Sequence, residues 1–254
     1  MKENILNTVK IFALNELSLF VLPLAMLAVI RYAGTWLQNV INFGSFKWFL
    51  APGTIIHELS HYLGDVIFGV KVDKLVVFKP QNGTLGYVSA YYNNSIRHKI
   101  ARMVSAFAPV LVISPLLTGI YALMFRDNMV AIIAEYQATA GTDIVTRITS
   151  ILTKIVQLPY DPKMLAIYIV IFVFIGSGLT LSRADFDVAS KGFPVWIIAV
   201  LIITTIQFIP QFNPFITNWI SIIATFIIIT GTIEVVLVLA IGFILSTLKA
   251  VFRP

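Results

Sequence analysis

Residues 51–70 read APGTIIHELSHYLGDVIFGV, an apolar run into which two histidines, a glutamate and an aspartate are set. On a helix His57 and His61 lie one turn apart on one face, with Cβ atoms about 6 Å from each other, so both imidazoles can converge on one point. In a segment this apolar, an unpaired charge near a bilayer centre costs about 2.5 to 3.5 kcal/mol on insertion scales. A bound cation would offset that cost.

The surrounding composition agrees with a lipid solvent. Of the 254 residues only 12% are charged and 58% are hydrophobic, whereas a soluble domain averages roughly 25% charged. Apolar runs that approach or exceed the roughly 20 residues needed to cross a bilayer core lie at about 12–31, 49–69, 103–125, 164–182, 193–210 and 218–247. The expected fold class is an all-α polytopic membrane protein of about six transmembrane helices, with a small membrane-associated β-hairpin. The first run follows Lys2 and Lys10 as a secretory signal would, but its length and the Glu16 inside it predict a retained helix. Cysteine is absent, which excludes disulfides and thiolate metal sites.

In a membrane protein the placement of positive charge matters more than its total. Lys71, Lys74, Lys79, Arg97, Lys99 and Arg102 all follow the second run, which predicts that this segment is cytoplasmic. With six spans both termini share that side, as does the short turn carrying Arg183 and Lys191. The expected location is a prokaryotic cell membrane, multi-pass, with the site toward the cytoplasm. The net charge of +6 is accounted for in this way, and no nucleic-acid partner is expected.

No repeat, low-complexity tract or linker divides the chain, so residues 1–254 are expected to form a single membrane-embedded domain with two inserts. The first, about 71–99, reads as a hairpin: LVVF (75–78) and LGYVSAYY (85–92) are rich in β-branched and aromatic residues, with an Asn82-Gly83 turn between them. The second, about 126–163, spaces Ile144, Ile148, Ile151 and Ile155 as an amphipathic helix lying on the outer interface would.

His57-Glu58-x-x-His61 is the H-E-x-x-H arrangement, in which two histidines supply half of a zinc site and Glu58 is placed as general base toward bound water. Such sites take a third protein ligand. Asp65 is about 12 Å along the axis from His57, too far to share one ion with it, and is expected to support the site from outside or to be solvated. The acidic cluster in LSRADFDV is better placed, because the fourth span delivers it to the same side; Asp185 is the first choice and Asp187 the second. The competing reading is that Ser182 and Asp185 form a capping pair, S-x-x-D, at a helix start.

These residues resemble the site-2 protease family of intramembrane zinc metalloproteases. The resemblance lies in HELSHYLGDVIFGVKV (57–72), in GYV at 86–88, and in SRAD with Asp185, and roughly residues 48–188 can be laid along the family pattern. It implies Zn2+ held by His57, His61 and Asp185, and Glu58 activating water to hydrolyse peptide bonds in a transmembrane or membrane-associated protein substrate. Where the family often carries an asparagine after a small-Gly-Pro sequence, this chain has Ala108-Pro109 and then Val112.

The substrate helix would have to unwind, because its carbonyls are otherwise bonded within the helix; the hairpin edge could accept the unwound segment as an added strand, and the nearly equal alternative is a hairpin that merely lies on the membrane surface. Tyr87, Tyr91 and Tyr92 fit substrate contacts or anchors in the lipid interface. Two other classes of function compete: a non-catalytic metal-binding membrane protein, such as a pseudoprotease or client-holding scaffold, and a metal transporter. Glu16 and Glu234 interrupt apolar runs; two readings stand, that they line a polar entry path or that they make interhelical hydrogen bonds while protonated, and the second is favoured. His98, between Arg97 and Lys99, is expected at the lipid headgroups.

Overall fold

The computed structural model describes residues 21–37, 47–81, 84–139, 142–207 and 213–251. In chain order the elements are α1 (Val21–Leu37), α2 (Ala51–Ile67), β1 (Lys71–Val76), β2 (Tyr87–Tyr91), α3 (Ile96–Met124), α4 (Arg126–Ala138) and α5 (Ile144–Gln157). Then come α6 (Pro162–Gly176), a 3-10 turn (Ser177–Leu179), α7 (Arg183–Gln207) and α8 (Asn213–Val251). Among the described residues three stretches are long and apolar enough to cross a membrane: Ile96–Met124, Pro162–Leu179 and Trp219–Ile244. The expected first span is only partly covered, and Glu16 lies outside the described residues, as does the Asn82-Gly83 turn.

α3 is the central helix, packed against α2, α6, α7 and α8. Its Val110, Ile113 and Leu117 meet Leu27 and Ile30 of α1, Tyr168 and Phe172 of α6, and Leu179 and Leu181 beyond it, forming the main apolar core. Pro109 and Pro115 lie inside α3. Each removes one helical N–H and so frees a carbonyl four residues earlier, which in a membrane helix must find another donor.

α2 is 17 residues long, about 26 Å at 1.5 Å per residue. It ends in a Schellman motif: the Gly69 N–H bonds to the Val66 carbonyl and the Val70 N–H to the Asp65 carbonyl. Gly69 sits at φ 64°, a conformation that costs a side-chain-bearing residue energy. The motif turns the chain directly into β1, which pairs antiparallel with β2 from Lys71↔Tyr91 to Val76↔Tyr87, with an irregularity between Val72 and Lys74. The first strand thus starts earlier than LVVF and stops at Val76.

The second insert differs from its expected form. It folds as two helices rather than one, and Ile144 and Ile148 of α5 pack on Ala224 and Ile228 of α8. The apolar stripe of α5 is satisfied by protein, a choice that periodicity alone does not make. Asp143 caps this helix, its Oδ1 accepting the Val145 and Thr146 N–H groups at 3.0 Å each. The hydrogen bond from the Thr146 hydroxyl, with these backbone bonds, holds the Asp143 carboxyl below its ordinary 3.8. A depressed folded-state value means that the cap's stabilisation is full above the unfolded value and is lost as pH falls through the folded one. Acidification below about pH 4 is therefore expected to fray the start of α5. Amide exchange at Val145 and Thr146, corrected for intrinsic rate, should accelerate, and Asp143→Ala should reproduce the effect at neutral pH.

Candidate metal centre

His57 and His61 project from the middle of α2, both 8% exposed. Their Nε2 atoms are 3.0 Å apart. Asp185, in the first turn of α7, completes the group: its Oδ2 is 3.5 Å from His57 Nε2 and its Oδ1 is 3.1 Å from His61 Nε2. Ligand atoms held tetrahedrally at 2.0 to 2.1 Å from one ion stand about 3.3 Å from each other. The three separations bracket that value, so the group could hold a metal ion.

The outer nitrogens show which faces of the rings are available. His57 Nδ1 lies 2.7 Å from the Gly178 carbonyl and His61 Nδ1 lies 2.7 Å from the Ser105 carbonyl. A carbonyl only accepts, so each Nδ1 donates and the neutral ring keeps its lone pair on Nε2. Two lone pairs and a carboxylate then face one another across about 3 Å, an arrangement that repels unless a cation or protons lie between them.

Both carbonyls are free because a helix is interrupted. In an unbroken α3 the Ser105 carbonyl would bond to the N–H of residue 109, and Pro109 has none. Gly178 sits in the 3-10 turn that ends α6, after which Thr180 turns extended and leaves the carbonyl unclaimed by helix. Close approach makes this possible, since a Cβ on Gly178 would lie 2.4 Å from the Gly53 carbonyl oxygen. The sequence reading did not identify Ser105 and Gly178 as supports; the proline four residues after Ser105 was the signal for the first.

Asp185 also satisfies the competing expectation. The Ser182 N–H donates to Asp185 Oδ2 at 2.5 Å and the Asp185 N–H donates to Ser182 Oγ at 3.2 Å, a capping box at the start of α7. Cap and donor are one residue, and the cap fixes the carboxylate in place. Asp187 is exposed and takes no part.

Glu58 is also 8% exposed. It lines a cavity of about 790 Å³ with His57, His61 and Asp185, and residues Thr84 to Val88 with Ala90 form another part of the wall. Gly86 comes so near that a Cβ there would lie 2.7 Å from Glu58 Cγ and 2.7 Å from the Val76 carbonyl oxygen. The hairpin therefore touches the stem of Glu58, and β2 borders the space in front of the donors.

For Asp65 the structure decides between the two expected alternatives, and for His98 it overturns the expectation. Asp65 is buried beside the site, not solvated, at 1% exposure, and accepts the Tyr92 hydroxyl at 2.5 Å. Burial, and then the Asp65 carboxylate, raise the Tyr92 phenol well above its usual range, so it stays protonated as the donor. His98 is buried too: its Nδ1 accepts the Asn93 N–H at 2.9 Å and its ring stands edge-on to Tyr92. It braces the chain between β2 and α3 and does not face headgroups.

No protein-family model, curated protein or solved structure matches this chain. Its chemistry has to be read from its own atoms.

Proposed function

We propose that the chain is a zinc-dependent intramembrane endopeptidase that hydrolyses peptide bonds in membrane-spanning or membrane-associated protein segments. The observation that carries this reading is a buried carboxylate, Glu58, beside three converging donors in a cavity that one strand borders. Coordination alone needs the donors and not the glutamate.

The proposal includes six spans, with α1, α2 and α7 crossing beside the three long apolar helices. Both termini and the site lie toward the cytoplasm of a prokaryotic cell, where the lysines and arginines of 71–102 meet anionic headgroups.

When bound by His57, His61 and Asp185, a zinc ion would supply Lewis acidity and acidify a water in its open fourth position. The residues of the chain do the rest. The Gly178 and Ser105 carbonyls hold the imidazoles in one tautomer and orientation. Glu58 takes a proton from the attacking water and returns it to the leaving amide nitrogen, so the peptide C–N bond breaks as the C–O bond forms. The free edge of β2 takes the unwound substrate as an added strand, which keeps main-chain groups bonded in a medium without water.

The test is cleavage of single-span peptides by detergent-purified protein, with and without chelator, followed by zinc re-addition. Cleavage lost on chelation and restored by zinc supports the proposal. Metal bound without cleavage favours a scaffold, and zinc moved across vesicles favours a transporter.

Pro109→Ala provides a subtler check. Its new N–H competes with His61 for the Ser105 carbonyl, and losing such an outer support typically weakens metal binding by about 10- to 100-fold. Competition with a zinc-sensitive dye should report that drop, while helix content stays level or rises.

A further inference from the structure

Glu234 lies within the apolar stretch of α8 and is 4% exposed, yet its Oε2 has no hydrogen-bond partner. The interhelical bond expected of it is absent among the described residues. Thr230, one turn earlier, does make such a bond, to Ser114 of α3 at 3.0 Å. Glu234 instead lines the cavity that holds His57, Glu58, His61 and Asp185. Its carboxylate rests where a Cβ on Gly176 would come within 2.5 Å of Oε2, beside the turn whose Gly178 carbonyl orients His57.

A buried polar atom without a partner is unfavourable, and in native proteins it calls for a specific explanation. A cavity offers one, since the missing partner can arrive with a ligand. An extended peptide presents N–H groups on both edges, and β2 can pair with only one of them. The other edge would enter a water-poor space with its N–H groups unsatisfied.

We infer that Glu234 is the subsite for a main-chain N–H on the substrate edge that β2 leaves unpaired. This rests on the peptide-hydrolysis reading, and it adds a second wall that recognises substrate backbone irrespective of side chain. Glu234 thereby accounts for a polar interruption of α8 that the packing of the chain does not use.

The experiment measures binding of a fluorescently labelled single-span peptide, by anisotropy in detergent, to Glu58→Gln protein so that nothing is cut. In that background Glu234→Leu is expected to weaken binding about tenfold, the upper end for one net hydrogen bond. Glu234→Gln, which retains an acceptor of the same shape, recovers most of that loss. Thermal unfolding of the Leu variant should occur no earlier than that of its parent, because an unpaired carboxyl has been removed. Unchanged affinity in Glu234→Leu overturns the assignment, as does a lowered unfolding temperature, which would reveal structural pairing. If Glu234→Gln loses as much as Glu234→Leu, the ligand is a cationic group and the main-chain assignment falls. A peptide that binds in this pattern but is never cut by the unmutated chain sinks the hydrolysis reading and leaves the subsite. One that is cut with the same KM by Glu234→Leu protein sinks the subsite alone.

Discussion

Glu58→Gln is expected to remove peptide hydrolysis while leaving the metal in place. General acid–base catalysis by a positioned side chain contributes about 10²- to 10⁴-fold, and an amide cannot take the proton of the attacking water. Glutamine has nearly the shape of glutamate, so it fits the same space against Gly86, where the hairpin approaches the Glu58 stem. Zinc per chain, measured by elemental analysis after detergent purification, should match the parent, because none of His57, His61 and Asp185 has been altered. Equal cleavage by the two proteins would show that Glu58 is not the base and would leave the three donors without a demonstrated hydrolytic partner.

Asp185→Ala should have the larger effect on the metal. Removing it leaves two imidazoles from one helix, and the third donor atom, 3.1 Å from His61 Nε2, is gone. Metal affinity should fall by at least the roughly 100-fold seen at the upper end when mere outer supports are lost, and cleavage should fall with it. Because Asp185 also accepts the Ser182 N–H, the substitution disturbs the start of α7. Ser182→Ala separates the two roles. It removes the hydroxyl that caps the Asp185 N–H, at a cost of about 1 kcal/mol for a lost N-cap, and leaves the carboxylate untouched. The expected result is a slightly less stable protein with zinc retained in Ser182→Ala, and a protein without zinc in Asp185→Ala. Full zinc occupancy in Asp185→Ala would remove Asp185 from the donor set.

The parts legible in the sequence are those that depend on near neighbours. The i, i+4 spacing of His57 and His61 puts them on one face wherever the helix is placed. The β-branched and aromatic run after Gly69 forms strands, although β1 starts at Lys71 rather than Leu75. S-x-x-D at 182–185 announced a helix start, and α7 starts there. What failed to show was any choice among partners. The isoleucine stripe of α5 fits lipid or protein equally well, and only its position against Ala224 and Ile228 selects protein. His98 sits between two cations in sequence yet is buried beside Tyr92, because the chain doubles back from β2 into α3.

By itself, then, the sequence determined the apolar character of the helices, the paired histidines with Glu58 between them, the hairpin, and two acidic positions able to supply a third donor. The tertiary structure placed Asp185, and not Asp187, beside the two imidazoles. It also supplied the Ser105 and Gly178 carbonyls that fix the imidazoles, and it set Glu234 in the cavity wall against Gly176 of α6. The reason is physical. Helix periodicity and capping are set by residues within about one turn, whereas convergence of groups more than a hundred positions apart is set by how α2, α3 and α7 pack, and packing depends on shape summed over the whole core.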